Sequence, residues 1–239
     1  MNNRTDLAID IINIKKTKEY KKNNILISEY KNKNKLYITL HFNSLIEKNK
    51  IKKILKTQLL HFFNLYNINN KSNILIVGLG NISNTSDSIG PKSIKYITPN
   101  LYLNNIITSN NIKISTIEPG VLGTTGIDTT MIIKSINKLI KPNLIILIDS
   151  FLTNNINNLN KTLELNNIGI TPGSGIHGNN TLISKKNMNT NVLVIGIPTS
   201  LEYIYNNTTL LMSTSHIDKY VNEISEIIGT TLNELLYSI

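Results

Sequence analysis

No cysteine occurs in the chain, which excludes disulfides, thiolate metal sites and a cysteine nucleophile together. Whatever chemistry the protein performs must come from Asp, Glu, His, Ser, Thr, Lys or Tyr. Nor is there an unbroken run of about 18 apolar residues, the length that would suggest a membrane span. The opening MNNRTDLAIDIINIKKTKEY has neither the short apolar segment nor the small-residue cleavage site of a secretory signal. A cytoplasmic protein without membrane attachment is the expectation. Acidic residues are also scarce, 15 Asp and Glu against 25 Lys and Arg, for a formal net charge of +10.

That excess invites a nucleic-acid reading, because clustered Lys and Arg neutralise phosphates and release counterions. Its distribution argues otherwise. The lysines crowd into KKTKEYKKNN, EYKNKNKLY and EKNKIKKILK in the first third, interleaved with Asn, and the later half is nearly charge-balanced. Lys, Asn and Ile are enriched along the whole chain, so the run reads as a solvated face, and direct nucleic-acid binding is not expected from it.

With 239 residues, 40% of them hydrophobic, the chain can bury one core with elaborations, and a single domain is expected. The runs NILISEY and KLYITLHF predict two antiparallel strands joined by the polar turn KNKN, an N-terminal β-hairpin elaboration. Ile51, Leu55, Leu59 and Phe62 recur at helical spacing and predict an amphipathic helix over about 50–66. From Asn73 the pattern changes. NILIVGLG, IKISTIEPG, NLIILIDS and NVLVIGIPTS are short apolar runs that each end in a polar or glycine-bearing loop, the pattern of buried parallel strands. Helical stretches lie among and after them: SIGPKSIKYI, TTMIIKSINKLI and a last one over about 216–237. The alternation predicts an α/β fold with a mostly parallel sheet and helices on both faces.

In such sheets, ligands gather beyond the carboxyl ends of the strands. There the segment ILIVGLGNISNTSDSIGPKS, Ile74 to Ser93, poses a choice between a phosphate cradle and a loop that carries Asp87. Gly78-Leu79-Gly80-Asn81-Ile82-Ser83 lacks the third glycine of a dinucleotide fingerprint, and no acidic residue ends a second strand to hold a ribose. Asp87 lies among Thr85, Ser86 and Ser88, where capping of the following helix is the plain explanation. Asp149 follows five apolar residues, LIILI, at the tip of a buried strand, where a carboxylate either bonds a backbone turn or does chemistry. Two such carboxylates facing one crevice would favour chemistry.

These blocks resemble a known family. VGLGN followed by TSDSIGPK, then EPGVLGTTGIDTT, KPNLIILIDS, GITPGSGIHGN and VLVIGIPT are similar, in order and spacing, to the signature blocks of the germination proteases, spore endopeptidases that degrade small acid-soluble spore proteins. PGVLGTTGI and TPGSG are the most specific pieces. RTDLAIDI near the start resembles the family's processing region, and LMSTSHIDKYVNEISEIIG its C-terminal helix block. The resemblance implies a fold similar to that of the hydrogenase maturation endopeptidases (phosphorylase/hydrolase-like) and a zymogen that processes itself. It also implies a homo-oligomer, commonly a tetramer, and no cofactor.

Proteases of this family are regarded as atypical aspartic peptidases with two essential aspartates, and those positions match Asp87 and Asp149. One carboxylate would activate water while the other, protonated, polarises the carbonyl and serves the leaving amine; their assignment as base and acid stays open at this stage. Backbone amides of the glycine-bearing loops, at Gly78, Gly80 and Asn81 and at Gly173, Ser174 and Gly175, are candidates for oxyanion or substrate contacts. The fold likeness brings an alternative, a metal held by Asp87, Asp149 and His177. Processing is expected between Asp6 and Leu7, which would leave residues 1–6 as a short propeptide and 7–239 as the peptidase domain. The chain departs from the family in the near absence of a long insertion between GIPTSLEYIYNNT and TLLMSTSHID, which marks a shortened member. The competing reading is a catalytically impaired homologue that binds nucleic acid or an acidic protein, with Asp87 a cap and Asp149 a structural carboxylate.

Overall fold

The computed structural model describes residues 5–7, 10, 16–102, 112–173, 181–206 and 208–239. Among them, nine strands form one sheet: β1 (Lys16–Lys22), β2 (Ile25–Asn32), β3 (Lys35–His41), β4 (Asn73–Gly78), β5 (Lys113–Ile117), β6 (Leu144–Thr153), β7 (Thr162–Asn166), β8 (Asn191–Tyr205) and β9 (Thr208–Met212). The helices are α1 (Lys48–Leu65), α2 (Ile89–Ile94), α3 (Leu122–Thr125), α4 (Thr129–Ile140), α5 (Lys185–Met188) and α6 (Ile217–Leu236).

The sheet runs β1-β2-β3-β7-β8-β6-β4-β5, with β9 hairpinned onto β8. The four apolar runs noted in the sequence form its parallel block: β4 pairs parallel with β5 and β6, and β6 with β8. The remaining pairings, β1 with β2, β2 with β3, β3 with β7, β7 with β8 and β8 with β9, are antiparallel. The expectation of a mostly parallel sheet is therefore corrected to a mixed one. The N-terminal strands are no separate hairpin: β1, β2 and β3 form a meander that continues the main sheet through β7. Short β7 (TLELN) and lysine-rich β1 (KTKEYKK) escape a hydrophobic-pattern reading, β1 because an exposed edge strand needs no apolar face.

Helices cover both faces of the parallel block, for a reason visible in β4. Its side chains alternate, so Ile74 and Ile76 join the core that contains Leu55, Leu59 and Phe62 of α1, Ile89 of α2 and Ile224 and Ile228 of α6. Leu75 and Val77 join the opposite core with Ile133 of α4, Phe151 and Leu7. α4 matches its sequence span because its start is encoded locally: the Asp128 carboxylate accepts the Met131 amide at 3.0 Å. α1 buries Ile51, Ile54, Leu55, Leu59, Phe62 and Phe63, the stripe its spacing forecasts.

Candidate active site

The site is built where β4 ends and β6 runs on past it to Thr153, so Asp149 lies within β6 and not at the strand tip that its apolar run suggested. Gly78 closes β4 against Gly90 of α2 so tightly that a Cβ at Gly78 would stand 2.5 Å from the Gly90 carbonyl oxygen. A Cβ at Gly90 would in turn meet the Leu79 and Ile148 carbonyl oxygens at 2.3 and 2.5 Å. Two glycines facing each other let α2 press directly on the strand backbones, which throws the connecting loop past the end of β4 and over β6. Leu79 continues the ladder by one bond, its amide donating to the Ile148 carbonyl at 2.9 Å.

Past that point the loop folds back on itself. Gly80 has a positive φ of 113°, and a Cβ there would lie 2.0 Å from the Asp87 carbonyl oxygen. The Asn81 amide donates both to that carbonyl, at 2.9 Å, and to Oδ2 of Asp87, at 3.0 Å. Two tethers fix the turn from outside: the Thr199 hydroxyl donates to the Ser86 carbonyl at 2.5 Å, and the Thr85 hydroxyl to Asp218 at 2.8 Å. The helix-cap explanation of Asp87 does not hold, because α2 has Ser88 at its N-cap position and receives no side-chain cap bond. The Ser88 hydroxyl donates to the Thr85 carbonyl instead. Asp87 is thus a carboxylate held by its own loop past the end of β4, and desolvation raises its pKa from 3.8 to about 6 against the opposing pull of the Asn81 amide.

Asp149 lies in β6, opposite Gly196 of β8, and is buried. Strand alternation puts its side chain on the face of Leu147 and Phe151, and the Ser150 amide donates to its Oδ1 at 2.8 Å. Burial drives its pKa well above the ordinary carboxylate range, and the negative charges of Asp87 and then Asp6 push it further the same way. The two aspartates singled out from sequence are therefore neighbours in one electrostatic field.

Asp6 and Leu7, the expected processing point, are also brought here. The Asp6 amide donates to the Leu152 carbonyl at 2.9 Å, and the Leu152 amide to Oδ2 of Asp6 at 2.8 Å, while Leu7 is fully buried in the core beside Phe151. Gly173 lies in a turn with φ 67°; Ser174, Gly175 and His177 lie outside the described residues. Among the described residues, no three His, Cys, Asp or Glu side chains gather closely enough to hold a metal ion. Sequence reasoning missed Asp10, whose carboxylate accepts from the Thr5 hydroxyl at 2.8 Å, the Thr153 hydroxyl at 2.6 Å and the Asn158 amide group at 2.7 Å. The signal available was a pair of aspartates, Asp6 and Asp10, bracketing apolar residues in an otherwise lysine- and asparagine-rich start. No helix among the described residues is long and apolar enough to cross a membrane.

Comparison with known proteins matches the same region. The family model described as germination protease covers residues 2–210. The germination protease of Clostridium tetani is 34% identical over 233 residues, taking in 84% of this chain and 71% of that protein. Those of Oceanobacillus iheyensis and Clostridium acetobutylicum are 34% identical over 142 residues and 33% identical over 195. The alignments take in 39% and 58% of those two proteins, so this chain spans only part of their length. A family match that reaches from the N-terminal segment through both Asp87 and Asp149 leaves one assignment: the chain belongs to the germination protease family.

Proposed function

We propose that this chain is an endopeptidase of spore germination that hydrolyses peptide bonds of small acid-soluble spore proteins through the carboxyl pair Asp87 and Asp149. The observation that carries this reading is the unequal environment of the two groups. Asp87, on the loop, has a pKa near 6; Asp149, desolvated by burial and repelled by the charges of Asp87 and Asp6, is pushed well above the ordinary carboxylate range and is the group favoured to carry the proton. Asp87 is then the base and Asp149 the acid. Asp87 takes a proton from water as the water oxygen bonds to the scissile carbonyl carbon, while the Asp149 hydroxyl donates to the carbonyl oxygen. As the tetrahedral adduct collapses, the carbonyl re-forms and its proton returns to Asp149, the carbon–nitrogen bond breaks, and the proton held by Asp87 passes to the leaving amine.

Gly80 and Asn81 support the base in this reading, since the Asn81 amide is bonded to Asp87. Gly78 lets α2 close on the strand, and oxyanion contacts are assigned to the backbone amides of Gly173, Ser174 and Gly175, of which the last two lie outside the described residues. The parallel block, with Asp87 on the loop after β4 and Asp149 within the neighbouring β6, supports the likeness to the hydrogenase maturation endopeptidases. The placement of Asp6 beside Asp149 supports processing at Asp6–Leu7, with residues 1–6 removed and 7–239 the working domain. The exposed apolar residues Tyr203, Tyr205, Leu210, Leu211 and Met212 on the β8–β9 hairpin support a homo-oligomer. Action in the spore core, on its own soluble proteins, completes the proposal.

The test is cleavage of an α/β-type small acid-soluble spore protein by the full chain and by the chain starting at Leu7, each with and without a chelator, beside Asp87→Asn and Asp149→Asn. Cleavage that both substitutions abolish and chelator leaves alone supports the carboxyl pair. A folded parent that cuts nothing overturns the reading and turns attention to binding of acidic partners. Loss of cleavage with chelator overturns the metal-free mechanism in favour of a site that includes His177.

A further inference from the structure

The edge of β6 carries an occupant that the sheet itself does not supply. β4 pairs with β6 only as far as Gly78 opposite Ile148, and the Leu79 amide adds a last bond to the Ile148 carbonyl. β6 runs on to Thr153, still paired with β8 on its other side through Leu152 opposite Ser200 and Thr153 opposite Leu201. On the side that β4 vacates, the backbone amide and carbonyl of Leu152 are both taken by Asp6, the carbonyl accepting from its amide and the amide donating to its carboxylate. The N-terminal segment therefore sits where the next residues of a neighbouring strand would have been. It is anchored on one side by fully buried Leu7 and on the other by Asp10, whose carboxylate accepts from Thr5 of the segment and from the buried side chains of Thr153 and Asn158.

We propose that the vacated edge of β6 at Leu152, just past the Ser150 amide that Asp149 holds, is the cradle that receives an extended polypeptide backbone at this site. Residues 5–7 occupy that cradle as a tethered ligand, which Asp10 latches in place. This rests on the peptidase reading and gives it a binding mode. A polypeptide that adds to the edge of β6 passes alongside Asp149, and the ladder positions it through main-chain bonds that any extended sequence can make. An acidic residue at the Leu152 position contributes its carboxylate to the Leu152 amide, as Asp6 does, so acidic, extended segments are the favoured class. Asp10 is a positioning residue: it touches no reacting atom and acts by holding Thr5 and the segment's far end against β6. A tethered occupant has an effective concentration of about millimolar, so a free peptide competes poorly until the latch is loosened.

The test separates binding from catalysis by working with the full chain in an Asp149→Asn background, where the probe is not cut. The probe is a fluorescein-labelled peptide of sequence NNRTDLAID, followed by anisotropy, and Asp10→Asn and Thr5→Ala are the two latch variants. Each is expected to bind the probe about tenfold or more tightly than the latched reference, the Asp149→Asn chain alone. A probe with Asn in place of its aspartate at the Asp6 position is expected to bind several-fold more weakly to all. Hydrogen exchange gives the local readout: the Leu152 amide, protected by Asp6 in the parent, exchanges about tenfold faster in Asp10→Asn. Equal probe affinity in latched and unlatched chains, or no binding by folded latch variants, overturns the cradle. Failure of the peptidase reading shows differently, as tighter probe binding in the latch variants with no peptide bond cut when Asp149 is intact.

Discussion

The amide of Asn81 donates to the carboxylate of Asp87 at 3.0 Å, across a turn that places Gly80 against the carbonyl of the same aspartate. One backbone N–H thus orients the group read here as the base, and opposes, without cancelling, the desolvation that raises its pKa. Consequences follow for rate, pH dependence and stability.

Replacing either carboxyl by an amide removes a proton-transfer partner while keeping shape. Asp87→Asn and Asp149→Asn are each expected to lower kcat by about 10²–10⁴, with far-UV circular dichroism unchanged. The double variant should lose little more than either single one, because the two act as a unit. Additive losses in the double variant would point to independent roles.

The pH profile of kcat/KM has a predictable sign. Under the proposed mechanism activity needs Asp87 ionised and Asp149 protonated, so it should climb as pH rises through about 6, where Asp87 loses its proton, and fall at higher pH as Asp149 loses its own. Steady-state rates from pH 4 to pH 10 check this. A rising limb at the ordinary carboxylate pKa would remove the assignment of Asp87 as the base.

Stability should run the opposite way. Both folded carboxyls bind protons more tightly than their unfolded counterparts, so the folded state is favoured while pH lies low and loses stability as pH rises from about 4 through the folded pKa values. For Asp87, raised from 3.8 to about 6, the loss is on the order of 2–3 kcal/mol. Asp87→Asn should therefore melt higher than the parent at pH 7 to 8, with the advantage vanishing near pH 4. Thermal scans at both ends suffice, and a variant that melts lower throughout would contradict the burial argument. Sites tuned for activity often sit at such a cost.

At Gly80 an alanine meets two obstacles, a positive φ and a carbonyl oxygen 2.0 Å from its Cβ. Gly80→Ala is expected to lose more than about 2 kcal/mol and to reduce kcat by displacing Asp87. Denaturant melts and steady-state rates on the same sample would show the two losses together, and full activity would mean that the turn does not position Asp87.

Thr199→Val tests the outer tether. Its hydroxyl bond to the Ser86 carbonyl disappears while shape is kept, at a cost of about 1–3 kcal/mol for a carbonyl left without its partner. A looser turn should lower kcat with KM little changed and shift the rising limb of the pH profile. An unchanged pH profile would show that the tether serves stability alone.

Much of this was readable along the chain. The four parallel strands fell on the four apolar runs, because a strand buried on both faces has to be apolar, but only β4 stopped at a glycine, whereas β6 ran on past Asp149 to Thr153 and β8 to Tyr205. β1 and β7 were not readable: one is charged and exposed, the other five residues long, and neither carries a periodic signature. The direction of pairing was equally hidden, since β7 joins β3 and β8 antiparallel, and pairing direction leaves little mark on a short apolar run.

The sequence by itself determined which chemistry was open: with no cysteine, carboxyl, hydroxyl, imidazole and amine groups remained, and it was the resemblance of whole blocks, not local pattern, that singled out Asp87 in a polar loop together with Asp149 after an apolar run. The tertiary structure decided what those carboxyls become. Burial of Asp149 beside Asp87 and Asp6, the Asn81 bond to Asp87, and the seating of residues 5–7 on the edge that β4 leaves free all join residues far apart in sequence or separated by a folded loop. Pattern and propensity are local properties, whereas desolvation and edge pairing depend on which surfaces the finished sheet leaves open.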